Sequence, residues 1–127
     1  MKIIKEDLIQ KAREAMTRSY SPYSNFSVGA ALLCADGKVY LGTNVENISY
    51  GATCCAERSA FFSAISNGNT EFLAIAITAK KTPCYPCGIC RQVMEELCDK
   101  TFEVYIDDGE TVIEKRLSEL LPDSFDF

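Results

Sequence analysis

The 127-residue sequence has no apolar run of membrane-spanning length and no cluster of Lys or Arg longer than Lys80-Lys81. The first lack excludes a spanning helix, which needs about 20 consecutive apolar residues. The second argues against a polyphosphate backbone as partner, because nucleic-acid binding rests on an electropositive track. An apolar leader is also missing: Met1-Lys2-Ile3-Ile4-Lys5-Glu6-Asp7 carries charges where a signal peptide needs a hydrophobic stretch. The expected location is therefore the cytoplasm, where thiols stay reduced. Seven cysteines, an odd number without an export signal, argue against a disulfide scaffold. What is present is ordinary for a soluble chain, with 47% hydrophobic and 24% charged residues. The length suits one hydrophobic core, so residues 1–127 are expected to form one domain. A formal net charge of −5 favours a small, neutral substrate.

Periodicity sets the expected elements. Ile4, Leu8, Ala12, Ala15 and Met16 recur at spacings of three and four, predicting an amphipathic helix over 5–19 that Ser21-Pro22 ends. Residues 26–34 and 39–44 read as strands joined by a tight turn at Asp36-Gly37. A helix is expected from Ala56 to Ile65, closed by Asn67-Gly68. The nearly unbroken apolar run Phe72 to Thr78 reads as a strand covered on both faces. Pro86 can open a helix with Ile89, Val93, Met94 and Leu97 on one face. Residues 102–106 and 111–115 flank Asp108-Gly109 as a second hairpin, and Leu117 to Leu121 forms a short helical turn stopped by Pro122, with Phe125 and Phe127 in the tail. Strands interleaved with helices in this order predict a three-layer α/β/α sandwich around a five-stranded mixed sheet.

The cysteines are crowded around two of the expected helix starts. Cys55 is followed two residues later by Glu57, and Pro86-Cys87-Gly88-Ile89-Cys90 supplies a Cys-x-x-Cys pair. This matches the zinc deaminase signature, in which His or Cys is the first ligand. Zinc takes thiolates in tetrahedral geometry, and catalytic sites keep one position for water. Three thiolates on Zn²⁺ leave a net charge of −1, which helix dipoles at the N-termini offset in part. Arg58 and Arg91 can donate hydrogen bonds to the sulfurs and offset more. Glu57 would carry protons from water to the substrate, whereas a glutamate also favours the first turn of any helix. Cys54 adjoins Cys55, and Cys84 makes a second Cys-x-x-Cys with Cys87, so a structural four-cysteine zinc site and a redox motif are the alternatives. Cys34 and Cys98 lie in apolar surroundings that suit packing.

With these residues in place the chain resembles the homotetrameric cytidine deaminases, from Ser21 to the tail. The resemblance rests on Ser21-Pro22-Tyr23-Ser24-Asn25-Phe26-Ser27-Val28-Gly29-Ala30-Ala31, Asn44-Val45-Glu46-Asn47, Cys55-Ala56-Glu57-Arg58, Pro86-Cys87-Gly88-Ile89-Cys90-Arg91-Gln92, and Leu120-Leu121-Pro122 followed by Phe125. It implies a cytidine deaminase-like fold and hydrolysis of cytidine and deoxycytidine to uridine and deoxyuridine with loss of ammonia, a pyrimidine-salvage reaction. It implies Cys55, Cys87 and Cys90 as ligands of one Zn²⁺ per subunit, and Glu57 as the proton shuttle between water, N3 and the departing amine. Arg58 corresponds to a residue that hydrogen-bonds the ligand thiolates. Asn44 and Glu46 match positions that bind the ribose hydroxyl, and Phe26 matches an aromatic that packs on the pyrimidine. Tyr50 and Phe125 match aromatics that reach the site of a neighbouring subunit, so a homotetramer is implied.

Two rival readings remain. A deaminase of another aminopyrimidine nucleoside, such as the blasticidin S type, would share the zinc motif, but Glu46 and Arg58 argue against it. A non-catalytic zinc-binding module would need neither an open zinc position nor Glu57. Deaminases that act on tRNA connect their last strands with a helix, so the hairpin return at Asp107-Asp108-Gly109 favours a free nucleoside.

Overall fold

The computed structural model describes residues 4–126; Met1–Ile3 of the charged N-terminal segment and Phe127 of the tail lie outside the described residues. The elements are α1 (Lys5–Met16), β1 (Val28–Cys34), β2 (Val39–Thr43), α2 (Ala56–Ser66), β3 (Phe72–Ala79), α3 (Gly88–Leu97), β4 (Glu103–Asp107), β5 (Val112–Arg116) and α4 (Leu117–Leu120), with a 3₁₀ turn at Tyr50–Ala52. The five strands lie in the order β2-β1-β3-β4-β5. β1 runs antiparallel to β2 and β3, β3 parallel to β4, and β4 antiparallel to β5. The parallel pair follows from α3, because parallel neighbours need a crossover whereas a tight turn gives an antiparallel one.

Alternation along the strands divides the core into two layers. Ala30, Leu32, Ile75, Ile77, Val104 and Ile106 face one side, where Ala60, Phe61 and Ala64 of α2 and Met94 of α3 meet them. Their neighbours Ala31, Leu33, Ala74, Ala76 and Tyr105 face the other side and pack under Leu8, Ile9 and Ala12 of α1. Successive side chains point to opposite faces of a sheet, so β3 carries apolar residues on both faces to serve both layers, with Thr78 the one polar residue of the strand. The architecture is the three-layer α/β/α sandwich with a five-stranded mixed sheet. The turn residues behave as expected: Gly37 and Gly109 take φ of 90° and 95°, a left-handed conformation that glycine adopts without strain.

Several boundaries move by one or two residues from the sequence expectations, as where α3 opens at Gly88 rather than Pro86 and where β4 and β5 each run one residue later. Four other boundaries or faces differ for identifiable reasons. α1 stops at Met16, not residue 19. Tyr20 is instead drawn into a bridge with Val45, its N–H donating to Asn44 O at 3.1 Å while its carbonyl accepts from Glu46 N at 2.8 Å. Ile4 is exposed, and Ile9 takes the buried place assigned to it. β1 begins at Val28 because the Asn44 carboxamide occupies the backbone before it, donating to Phe26 O and accepting from Val28 N. On α3, Ile89 is 62% exposed; the buried positions are Cys90 and Met94, four residues apart, since Cys90 turns its sulfur inward.

Close approach of α2 to β2 is made possible by Gly42. A Cβ there would lie 2.3 Å from Ala56 O and 2.4 Å from Ala60 N, both backbone atoms. Gly42→Ala must push the first turn of α2, which follows Cys55 and carries Glu57, off the sheet. The expected outcome is a loss of about 1–3 kcal/mol of stability or more, read by denaturant unfolding, together with weaker zinc retention.

Asp107 ties three elements together. It accepts from Arg13 Nε and Nη2 of α1 at 3.0 and 3.1 Å, from Thr78 Oγ1 of β3 at 2.7 Å, and from Gly109 N at 2.9 Å. Burial alone would raise its pKa, but the Arg13 guanidinium, the Thr78 hydroxyl and the Gly109 N–H outweigh that and hold the carboxyl below the ordinary range. A folded-state pKa below the unfolded value of about 3.9 gives stability that is full above that pH and is lost as the pH falls through the folded-state value. Asp107→Ala leaves the buried Thr78 hydroxyl without this acceptor and is expected to cost about 2–4 kcal/mol. Unfolding at pH 7 and pH 3 checks both statements: the gap between wild type and variant should shrink at the lower pH.

Candidate active site

Both expected helix starts arrive at one place. Cys55 is the N-cap of α2 and Cys87 the N-cap of α3, each in extended backbone, and neither helix has a side-chain hydrogen bond at its cap. Cys90 lies one turn into α3 and is buried. The ligand atoms of Cys55, Cys87 and Cys90 all lie within 4.8 Å of one another. The Cys55 and Cys87 sulfurs are 3.7 Å apart. A tetrahedral ion with Zn–S bonds of about 2.3 Å sets its sulfurs about 3.8 Å apart, so these thiols fit one zinc. The chain has no histidine, so a site of this kind must be built from sulfur and carboxylate. Cys54 and Cys84 are not part of the group among the described residues. The Cys54 thiol donates to Cys55 O and that of Cys84 to Tyr85 O. Cys34 is buried and Cys98 packs at the edge of the same core, where burial pushes the Cys98 thiol up to about 12.

The electrostatics are those of a crowded anionic site. Hydrogen bonds from Cys90, Arg58 and Cys87 bring the Cys55 thiol down to about 5 against the effect of burial. The bond to Cys55 and burial push the Cys90 thiol the opposite way, upward. Arg58 Nη2 donates to Cys55 Sγ and to Thr53 O, each at 3.4 Å. Arg91 does not reach a sulfur. Its Nε and Nη1 donate to the carbonyls of Pro86 and Leu120, both at 2.8 Å, and backbone oxygens take up its guanidinium. Glu57, in the first turn of α2, is only 4% exposed, and burial pushes its carboxyl up to about 7.

A cavity of about 430 Å³ opens beside these groups, lined by Phe26, Asn44, Glu46, Cys55, Glu57 and Cys87 among others. That size falls in the range of small-molecule sites. Asn44 Oδ1 accepts from Val28 N and Ser19 Oγ, and its Nδ2 donates to Phe26 O at 2.8 Å. Glu46 Oε1 accepts from Tyr23 N and Ser24 N at 2.9 and 3.1 Å, and its Oε2 from Ser24 Oγ. The Ser24 hydroxyl, with the two N–H groups, holds the Glu46 carboxyl below its ordinary range. Phe26 is partly buried against the core and forms part of the wall.

Two expected residues are not in this cavity. Tyr50 is 73% exposed and stacks edge-on against Tyr23, their ring centroids 6.0 Å apart, beside a neighbouring depression. Phe125 is 71% exposed and held by its backbone to Gln92. Conversely, the cavity wall includes Ser24, Thr53 and Tyr85, which sequence reasoning did not single out. Ser24 lies within the Ser21-to-Ala31 segment and could have been found there; Tyr85 and Thr53 carry no signal beyond adjoining the cysteines.

Residues 2–106 match the family model described as the cytidine and deoxycytidylate deaminase zinc-binding region. A cytidine deaminase of Halalkalibacterium halodurans is 51% identical over 120 residues, covering 93% of this chain and 91% of the relative. The crystal structure of cytidine deaminase from Burkholderia pseudomallei matches with a TM-score of 0.92 at 48% identity, over 97% of this chain and 100% of that one. That of the Mycobacterium tuberculosis cytidine deaminase matches with a TM-score of 0.87 at 39% identity, over 99% and 100%. With a zinc-compatible trio of cysteines at two helix starts and these likenesses along nearly its whole length, the chain belongs to the cytidine and deoxycytidylate deaminase family, whose members carry a zinc-binding region.

Proposed function

We propose that the protein hydrolyses cytidine and deoxycytidine to uridine and deoxyuridine with release of ammonia, acting in pyrimidine salvage. The observation that carries this reading is the convergence of Cys55, Cys87 and Cys90 beside the buried Glu57 carboxyl on the wall of a nucleoside-sized cavity. Cys55, Cys87 and Cys90 hold one Zn²⁺ per subunit. When bound, the ion supplies a Lewis acid that lowers the pKa of water toward about 7.

The chain's own groups do the rest. Glu57 takes one proton from the water attacking C4 and delivers it to N3 of the pyrimidine as the C4–O bond forms. It then takes the second proton from the C4 hydroxyl of the adduct and gives it to the amine, which leaves as ammonia when the C4–N bond breaks. Its burial keeps those protons from bulk solvent. Arg58, through its bond to Cys55, offsets part of the negative charge of three thiolates. Phe26 offers the pyrimidine an apolar face. Asn44 has one side-chain N–H beyond the bond to Phe26 O, and Glu46 has acceptor capacity beyond its three donors, so the pair can donate to and accept from a ribose hydroxyl.

In the same reading the whole chain acts as one domain in the cytoplasm, on a free nucleoside, with neither nucleic acid nor membrane as partner. Among the described residues no helix is long and apolar enough to cross a membrane. Four subunits assemble, and Tyr50 and Phe125, which lie outside their own chain's cavity, complete the sites of neighbours.

Zinc-loaded protein mixed with cytidine should show the absorbance change of conversion to uridine; absence of turnover would sink the proposal. A chelator should abolish that turnover and added Zn²⁺ restore it. Glu57→Gln should retain one zinc per chain and a wild-type unfolding curve while kcat falls by about 10²–10⁴-fold. Retained turnover in that variant would refute its proton-carrying role. Light scattering of the wild type should give four times the chain mass, and a monomer would remove the shared-site arrangement.

A further inference from the structure

Residues 121–126 lie in neither helix nor strand, yet side chains of α3 fasten this end of the chain. Arg91 donates to Leu120 O at 2.8 Å. Gln92 goes further and takes both backbone groups of a single residue: its Nε2 donates to Phe125 O at 3.0 Å, and Phe125 N donates to its Oε1 at 3.1 Å. Both residues directly follow Cys90 on the helix that carries two of the three cysteines.

We infer that Gln92 is a positioning residue that aims the Phe125 ring, through its backbone, at the site it serves. The inference rests on the reading above that Phe125 completes a neighbouring subunit's site. A primary amide has a donor and an acceptor in one plane, so it can mimic a strand partner for one residue. Fixing both the N–H and the C=O of Phe125 sets the direction in which its Cβ leaves the chain. Most of the ring is exposed, and the two backbone bonds to Gln92 give its Cβ a fixed direction. Because the clamp stands on α3, the ring is referenced to the same rigid element as Cys87 and Cys90. Glutamate at this position would keep the acceptor and lose the donor, and methionine would lose both.

The test compares Gln92→Met, Gln92→Glu, Phe125→Ala and the double variant Gln92→Met/Phe125→Ala, measuring kcat and KM for cytidine, zinc per chain and assembly mass. Phe125→Ala is expected to raise KM by about tenfold, the scale of one lost ring-on-base contact. Gln92→Met should raise KM by nearly as much, with kcat, zinc and mass close to wild type. Gln92→Glu should fall between wild type and Gln92→Met, and the double variant should be no worse than Phe125→Ala alone. A wild-type KM for Gln92→Met beside a raised KM for Phe125→Ala overturns the clamp while leaving the site reading intact. Additive effects in the double variant overturn it too, since Gln92 would then act by another route. A wild-type KM for Phe125→Ala overturns the site reading itself, and the clamp with it.

Discussion

Three sulfurs can meet at one point only if the starts of α2 and α3 are brought together, and that approach is set by the core beneath them. Ala56, Ala60 and Ala64 of α2 and Cys90 and Met94 of α3 belong to one buried cluster on one face of the sheet. The small residues of α2 let its axis lie close to β1 and β2, and Gly42 removes the last obstruction. Cys55 and Cys87 are the residues just before each helix, so their positions follow from packing rather than from the loops that precede them. Protein interiors yield little to displacement. The separation of the sulfurs is thus as well fixed as the packing of the alanines.

The same geometry gathers negative charge where water is scarce. A buried carboxyl beside a thiolate is unfavourable in its charged form, and burial raises the Glu57 pKa for that reason. Arg58 is the nearby cation that reaches a sulfur, and its bond to Cys55 helps the thiolate persist despite desolvation. Arg91 is one turn past Cys87 yet spends its charge on two carbonyls. Two arginines near one metal centre therefore divide the work: one adjusts electrostatics and the other fixes the frame.

Much of this was legible in the sequence because turn and period signals act locally. Asp36-Gly37 and Asp108-Gly109 mark their hairpins through glycines that need positive φ, and the apolar run at 72–78 marks a strand buried on both faces. The cysteine spacing and Glu57 were legible for the same reason, since one helical turn links Cys87 to Cys90. The rest depends on partners distant in sequence. The end of α1 is decided by a bridge from Tyr20 to Val45, and the start of β1 by the Asn44 carboxamide sixteen positions beyond Val28. Nothing near Arg91 tells that a carbonyl of Leu120 will claim it. Ile89 fits an apolar stripe by period, but the inward turn of Cys90 takes its place, while Met94 and Leu97 of the same stripe stay against the core.

Asn44 and Glu46 show how the end of the cavity proposed to take the sugar can be rigid without lying on a helix. Each side chain is held by at least three hydrogen bonds, and their partners come from the segment between α1 and β1 and from Val28, the first residue of β1. Asn44 closes the segment at Ser19, Phe26 and Val28, while Glu46 grips Tyr23 and Ser24. Phe26 is thereby held at the wall by its own backbone carbonyl, so the group proposed to meet the base and the groups proposed to meet the sugar share one network. Binding then needs little ordering of side chains, the condition under which a small cavity discriminates best. It also follows that a substitution at Asn44 cannot be read as the loss of a sugar contact alone, because the same amide sets where Phe26 stands.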